Sequence, residues 1–365
     1  MANKQKETDG MMRVSPPLLE ELRGMIEESR RSLAGTVNAT MTMLYWRIGT
    51  RINQEILQGE RAEYGKQIVA SVSQELSGEY GQGFSYSALT RMVKFSEVLP
   101  DVKIVATLSQ QLSWSHFCEI ISLEKSLQRD FYAEMCRIER WSVRTLRQKI
   151  GSLLYERTAL SKKPDELVRL ELDALRSEDK FTPELVFRDP YFLDFLGLTG
   201  AFQEKDLEAA ILRDMENFIL ELGAGFCFVA RQKRITLDGD DFYIDLLFFH
   251  RHLRRLVAIE LKLEKFRPAH KGQMELYLRW LNKHERQVGE EAPIGMILCA
   301  SKKQEQIELL ELGSSGIHVA EYLVELPSKE LLQEKLHNAI ALARERMEAQ
   351  GTIGSGGSEL LKEVE

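Results

Sequence analysis

From Leu18 to about Leu57, apolar side chains recur at helical spacing: Leu18, Leu22, Met25, Ile26 and Leu33, then Met41, Leu44, Tyr45, Ile48 and Ile52. A stripe of that period predicts one long amphipathic helix or two shorter ones. Ser15-Pro16-Pro17 reads as its start, with serine at the cap and proline in the first turn. Residues 1–13 are polar and predict a frayed leader. The period continues through Ile68–Leu76, breaks over Gly78–Gly83, and resumes after Ser85 as Ser87–Leu99, marked by Leu89, Met92, Val93, Phe95 and Val98. Helix, glycine turn and serine-started helix outline a helix-turn-helix unit, and equally a plain helical hairpin. Helical spacing then runs from Trp114 to Leu154, with Ser142 as a cap for Val143–Leu154.

Residues 156–185 are charged and contain Pro164 and Pro183, which predicts a boundary there. Past Phe187 the pattern changes. Asp206–Leu222 has a helical apolar face and stops at Gly223-Ala224-Gly225. Strand-like runs follow at Phe226–Ala230, Asp241–Phe249 and Arg255–Leu263, joined by turns at Asp238–Asp241 and His250–Arg254. A helix over His270–Asn282, an apolar run at Ile294–Ala300, a short helix at Gln304–Leu312, a strand at Gly316–Tyr322 and a helix over Ser328–Met347 complete the order αβββαβαβα. That order predicts a two-domain α+β chain: a helical first domain, then a small α/β domain with helices on a mixed sheet. The expected boundaries are 15–160 for a helical, DNA-binding domain, 161–186 for a linker, 187–347 for the α/β domain and 348–365 for a flexible glycine-serine tail.

Composition narrows the classes. With 365 residues, 44% hydrophobic and 29% charged, the chain has material for two or three cores and is not globally disordered. No run approaches roughly 18 apolar residues, so no transmembrane helix is expected, and the polar start lacks the apolar core of a secretory signal. Both features point to the cytoplasm. Cys118, Cys136, Cys227 and Cys299 are far apart and form no CxxC pair, which excludes a zinc ribbon and disfavours a disulfide scaffold. There is no P-loop, no GxGxxG after a strand and no GxSxG, so nucleotide-driven and serine-hydrolase chemistry are disfavoured.

The net charge is −7, but contact with a polyanion depends on local patches. Between Arg137 and Lys163 stand eight basic residues against Glu139 and Glu156. Arg144 and Arg147 lie at i and i+3 of one helix, where they would grip phosphates or simply form a solvated face.

The most informative stretch is FYIDLLFFHRHLRRLVAIELKL. Asp245 interrupts one apolar strand; Glu260 and Lys262 interrupt the next. Residues at i and i+2 of a strand share a face, so Glu260 and Lys262 point the same way, and a short turn brings Asp245 alongside. Buried charge without a partner costs several kcal/mol, and two adjacent carboxylates repel unless a cation lies between them. Hard oxygen donors suit Mg²⁺, which polarises a phosphoryl oxygen, while a neighbouring ammonium acts on the attacking water or the phosphate. The bland alternative is an edge-strand ion pair with a turn-capping aspartate. His250 and His252 lie in the basic turn without a third ligand nearby, which favours a solvated turn or a phosphate contact over a metal site.

Asp245 followed by Glu260-Leu261-Lys262 resembles the PD-(D/E)XK nuclease superfamily, and Gln273-Met274-Glu275-Leu276-Tyr277 resembles the Q-x-x-x-Y element of its RecB-like branch. The strings DPYFLDFLGL, ELGAGFCFVARQ and DFYIDLLFFHRHLRRLVAIELKLEKFRPAHKGQMELYL, with LSWSHF and WSVRTLRQKI upstream, resemble the YhcG-type nucleases over roughly residues 15–330. The family usually has glycine before the Arg-Gln pair; here it is Ala230. The resemblance implies a helical domain followed by a restriction-endonuclease-like domain. It also implies a metal-dependent nuclease, acting on DNA in recombination or repair, with Mg²⁺ or Mn²⁺ as cofactor. Asp245 and Glu260 would hold the metal with the Leu261 carbonyl, and Lys262 would act on water or phosphate. Gln273 would orient ligands. Glu208 would supply an acid from the preceding helix, with Asp206 and Glu216 as alternatives. Arg231 and Gln232 would contact nucleic acid or the scaffold, Tyr277 would contact nucleic acid or serve as a core aromatic, and Arg144 and Arg147 would add phosphate contacts. A homodimer is expected by analogy alone. The competing readings are a ribonuclease with the same site and a non-catalytic nucleic-acid-binding or adaptor protein.

Overall fold

The computed structural model describes residues 16–57, 62–312 and 314–359. The expected leader and its Ser15 cap lie outside them, as do residues 360–365 of the expected tail. Two units emerge. One runs to Arg129 and includes Arg140–Val143; the other holds Asp130–Glu139 and everything from Arg144 onward.

The first unit is helical. The apolar stripe from Leu18 forms a single helix, Pro16–Leu57, followed by Ala62–Tyr80, a short 3₁₀ turn Gln82–Phe84, and Tyr86–Val98. Ile52, Val69, Leu89 and Met92 meet in its core. Gly49 permits close packing of the long helix: a Cβ there would lie 1.9 Å from the Met92 carbonyl oxygen. Trp46 Nε1 donates to the Leu99 carbonyl at 2.8 Å, fixing the same pair of helices at its far end. Asp101, at the cap of Val102–Ser109, accepts from the Lys103 amide.

The second unit is built on six strands: β1 (Tyr191–Phe192), β2 (Phe226–Leu237), β3 (Asp240–His250), β4 (Arg255–Lys265), β5 (Ile294–Ser301) and β6 (Ile317–Leu323). Their order is β1-β6-β5-β4-β3-β2. Strands β2, β3 and β4 are antiparallel, whereas β4, β5, β6 and β1 run parallel, so the sheet is mixed. Ile294–Cys299 of β5 are all buried, as a central parallel strand requires. The helix Pro268–His284 lies on one face, where Met274, Tyr277, Leu278 and Leu281 pack against Leu247, Ala258, Ile297 and Cys299. Gly295 lets it come close: a Cβ there would lie 2.5 Å from the Met274 side chain.

Several elements differ from the pattern reading. The stretch 161–186, expected as a linker, carries the helix Asp165–Glu178. Val168, Leu172 and Leu175 are buried on one face of it, which the charges on the other face hid in composition. Asp206–Leu222 is two helices, Glu204–Arg213 and Met215–Leu222, parted at Asp214. Strand β2 runs on to Leu237, and β1 is too short to leave a periodic signal. The last helix is continuous through Glu359, where a flexible tail was expected from 348. The basic run is also largely spent. Arg137 pairs with Glu134 and Asp179, Arg157 with Glu221, Lys162 with Asp189, and Lys163 with Glu171 and Glu184. Arg140, Arg144 and Arg147 stay exposed. No helix among the described residues is long and apolar enough to cross a membrane.

Candidate active site

The antiparallel ladder between β3 and β4 runs from His250–Arg255 to Leu246–Ile259. One step further Asp245 and Glu260 stand opposite each other, and side-chain bonds replace the ladder. The Leu261 amide donates to Asp245 Oδ2 at 2.9 Å, and the Asp245 amide to Glu260 Oε1 at 3.3 Å. On the other side of β3, Arg231 pairs with Leu246 and Lys233 with Ile244, which sets Gln232 across from Asp245. Three neighbouring strands therefore align Gln232, Asp245 and Glu260 in one row. Lys262, two residues beyond Glu260, places Nζ 3.2 Å from Glu260 Oε2.

The row continues onto the helix Glu204–Arg213. Gln232 Nε2 donates to both Glu208 Oε2 (2.9 Å) and Asp245 Oδ1 (3.1 Å). Glu204 Oε1 accepts from the Leu263 amide at 3.3 Å. Glu208 thus reaches the site. Asp206 does not, since it accepts from the Gln203 amide at its own helix start, and Glu216 is exposed on the next helix. Glu204 went unremarked in the sequence; its i, i+4 relation to Glu208 was the available signal.

On the opposite side, Gln273 Nε2 donates to the Tyr277 hydroxyl at 2.6 Å, and that hydroxyl donates to the Tyr243 carbonyl at 3.1 Å. The pair braces the helix against β3 two residues before Asp245. Tyr277 is 1% exposed, so the expected nucleic-acid contact is corrected: its ring belongs to the core and its hydroxyl is committed to backbone. Arg231 is exposed on β2, next to Gln232. Arg144 and Arg147 are exposed on the helix Val143–Gly151. His270, another residue the sequence reading passed over, lies near Lys262 and contacts Glu264 at 3.3 Å. Burial, then the Lys262 charge, hold its imidazole below the usual range.

Electrostatics set this row apart. Glu260 is 3% exposed, and burial, reinforced by the Asp245 charge, pushes its carboxyl up to about 7. Asp245 is raised as well, chiefly by burial, against the Leu261 N–H that favours its ionised form. Burial pulls Lys262 down, but Glu260 and Asp245 outweigh it and hold the ammonium above its usual range. Two carboxylates, Glu260 buried and Asp245 half-buried, share one ammonium, so the site is short of positive charge. That imbalance and the all-oxygen donor set fit a hard divalent cation. Among the described residues no three His, Cys, Asp or Glu side chains gather closely enough to hold a metal by themselves. A set of two carboxylates suits Mg²⁺, which keeps several waters. Leu261 meets the row through its N–H; its carbonyl makes no bond to it.

Two family models match the chain, with a border later than that between the two units. Residues 184–337 match the YhcG PDDEXK nuclease domain, and residues 21–157 match the DUF1016 N-terminal domain. "Putative nuclease YhcG" of Escherichia coli (strain K12) is 33% identical over 352 residues, covering 88% of this chain and 93% of that one. The chain belongs to the YhcG nuclease family. Its Asp245, Glu260 and Lys262 all fall within the YhcG nuclease domain. Among solved structures, a repair endonuclease from Pyrococcus abyssi matches at 22% identity and TM-score 0.25, covering 34% of this chain and 49% of that one. A structure of an EndoMS–dsDNA complex matches at 18% identity and TM-score 0.27, covering 36% and 49%. The chain thus spans about half the length of those two proteins.

Proposed function

We propose that this YhcG-family chain is a metal-dependent nuclease that hydrolyses phosphodiester bonds of DNA, in recombination or repair. One observation carries the reading: Asp245 and Glu260 stand opposite each other where β3 and β4 stop pairing, and Lys262 is their only close ammonium among the described residues. Asp245 and Glu260 would hold Mg²⁺ or Mn²⁺, with the Leu261 carbonyl as a further oxygen. A bound divalent ion would supply Lewis-acid polarisation of the phosphoryl oxygen and a more acidic water. Lys262 donates to Glu260 and would donate to the attacking water or to a phosphate oxygen that gains charge. Gln232 bonds Asp245 and is itself bonded to Glu208 on the helix, while Tyr277, bonded by Gln273, donates to the backbone of β3. Arg231, Arg144 and Arg147 are exposed, and contacts from them to phosphates would give binding that weakens as salt rises. Cutting both strands of a duplex would call for two such sites, hence two copies. The four cysteines are free thiols, which suits the reducing cytoplasm.

The test is cleavage of labelled single-stranded, duplex and branched DNA, and of RNA, with Mg²⁺ or Mn²⁺. Wild type is compared with Asp245→Ala and Lys262→Ala. Cutting of DNA by wild type alone supports the reading. Equal cutting by the variants, or preference for RNA over every DNA, would contradict it.

A further inference from the structure

Gln232 is exposed on the edge strand and carries no charge, yet its side chain bonds two carboxylates, one on a helix and one on β3. One nitrogen donates to Glu208 on the helix and to Asp245 on β3, at 2.9 and 3.1 Å. Both partners are carboxylates, which only accept, so the amide must present its nitrogen to them and use one hydrogen for each. Asp245 is then gripped from both ends, Oδ1 by Gln232 and Oδ2 by the Leu261 amide.

The backbone adds a second, independent observation. Gln232 has φ of +44°, a left-handed conformation in the middle of a strand. Residues with a Cβ rarely adopt it, and where they do the surroundings hold them there. Here the left-handed turn comes at the position facing Asp245. A strand residue in ordinary extended geometry needs no such restraint.

We infer that Gln232 is a positioning residue: its amide locks the Asp245 carboxylate in the orientation a divalent cation requires and keeps Glu208 beside it. The inference rests on the proposed metal role of Asp245. Partners that orient a metal ligand contribute roughly 10–100-fold to metal affinity, and that is the effect expected of this amide.

The experiment titrates the full chain with Mn²⁺ by calorimetry, without nucleic acid, and follows thermal melting alongside. Gln232→Met keeps the length and the strained backbone and removes both donors. Gln232→Gly relieves the backbone and removes the donors too. Both are expected to melt close to wild type and to bind Mn²⁺ roughly 10–100-fold more weakly. In a cleavage assay, excess Mn²⁺ should restore Gln232→Met and should not restore Lys262→Ala. Wild-type affinity in Gln232→Met, or in Gln232→Gly alone, would overturn the inference, since the donors would then be dispensable. The parent reading fails separately, if wild type binds no Mn²⁺ or if Asp245→Ala binds it as well as wild type does.

Discussion

Two buried charge clusters lie in the same unit, and their balance differs in sign. At Asp189 one carboxylate faces two ammoniums: Lys162 at 2.7 Å and Lys302 in closer contact, with the Glu321 amide donating to its other oxygen at 3.0 Å. Burial opposes ionisation there, but Lys302 and Lys162 overcome it and hold the carboxyl well below the usual range. At Asp245 and Glu260 two carboxylates face one ammonium, and Glu260 rises to about 7. Charge withdrawn from solvent is common to both, so it cannot by itself mark a candidate active site. What distinguishes the second cluster is that its own partners leave it incomplete.

The largest contrast should come from the lysines. Lys262→Ala is expected to cut activity by roughly 10²–10⁴-fold, in the range that a positioned proton-transfer or charge-stabilising group contributes, with the melting temperature little changed. Lys302→Ala should do the reverse, lowering the melting temperature while the folded fraction keeps its turnover. Loss of turnover in both, at equal stability, would erase the distinction.

Removing the acid tests the balanced cluster. Asp189→Ala leaves the half-buried Lys162 and Lys302 without their anion, and denaturant unfolding should show a loss of up to about 3 kcal/mol. A loss under about 1 kcal/mol would mean that the cluster is not structural.

The pH dependence of the metal-free protein should split by sign. The raised Glu260 binds more protons folded than unfolded, so its contribution is full below about 4.5 and is lost as pH rises to about 7. Asp189, depressed, contributes above its ordinary 3.8 and loses that contribution as pH falls below it. Glu260→Gln should therefore stabilise the metal-free protein at pH 8 by on the order of 1–3 kcal/mol, and not at all near pH 4. Unfolding curves at the two pH values check this, and a pH-independent difference would contradict it.

The smallest effect concerns the surface. In an Asp245→Ala background, replacing Arg144 and Arg147 with alanine should weaken duplex binding a few-fold and lower the salt slope by about one per arginine. An unchanged slope would remove both from the interface.

The acid pair and its lysine were legible because strand alternation and a short hairpin are local rules, and charge stood out inside apolar runs. Glu208 was readable through the helix that precedes the strands. Gln232 was legible as a candidate contact to phosphate or scaffold, but not its bonds to Glu208 and Asp245, because those depend on a helix 24 residues upstream, a strand partner 13 residues downstream and a left-handed φ. The basic run from Arg137 to Lys163 misled for a related reason: its partners Asp179, Asp189 and Glu221 are distant in sequence, so pairing could not be read from spacing. The helix within 161–186 was masked by its charged outer face, and the break at Asp214 left the apolar stripe intact.

The most direct test of the central claim is an anomalous-scattering map from crystals soaked in Mn²⁺ at pH 8. The account predicts a peak between the carboxylates of Asp245 and Glu260 and none at Asp189. A peak at Asp189, or an empty map at the Asp245–Glu260 row in fully soaked crystals, would contradict it.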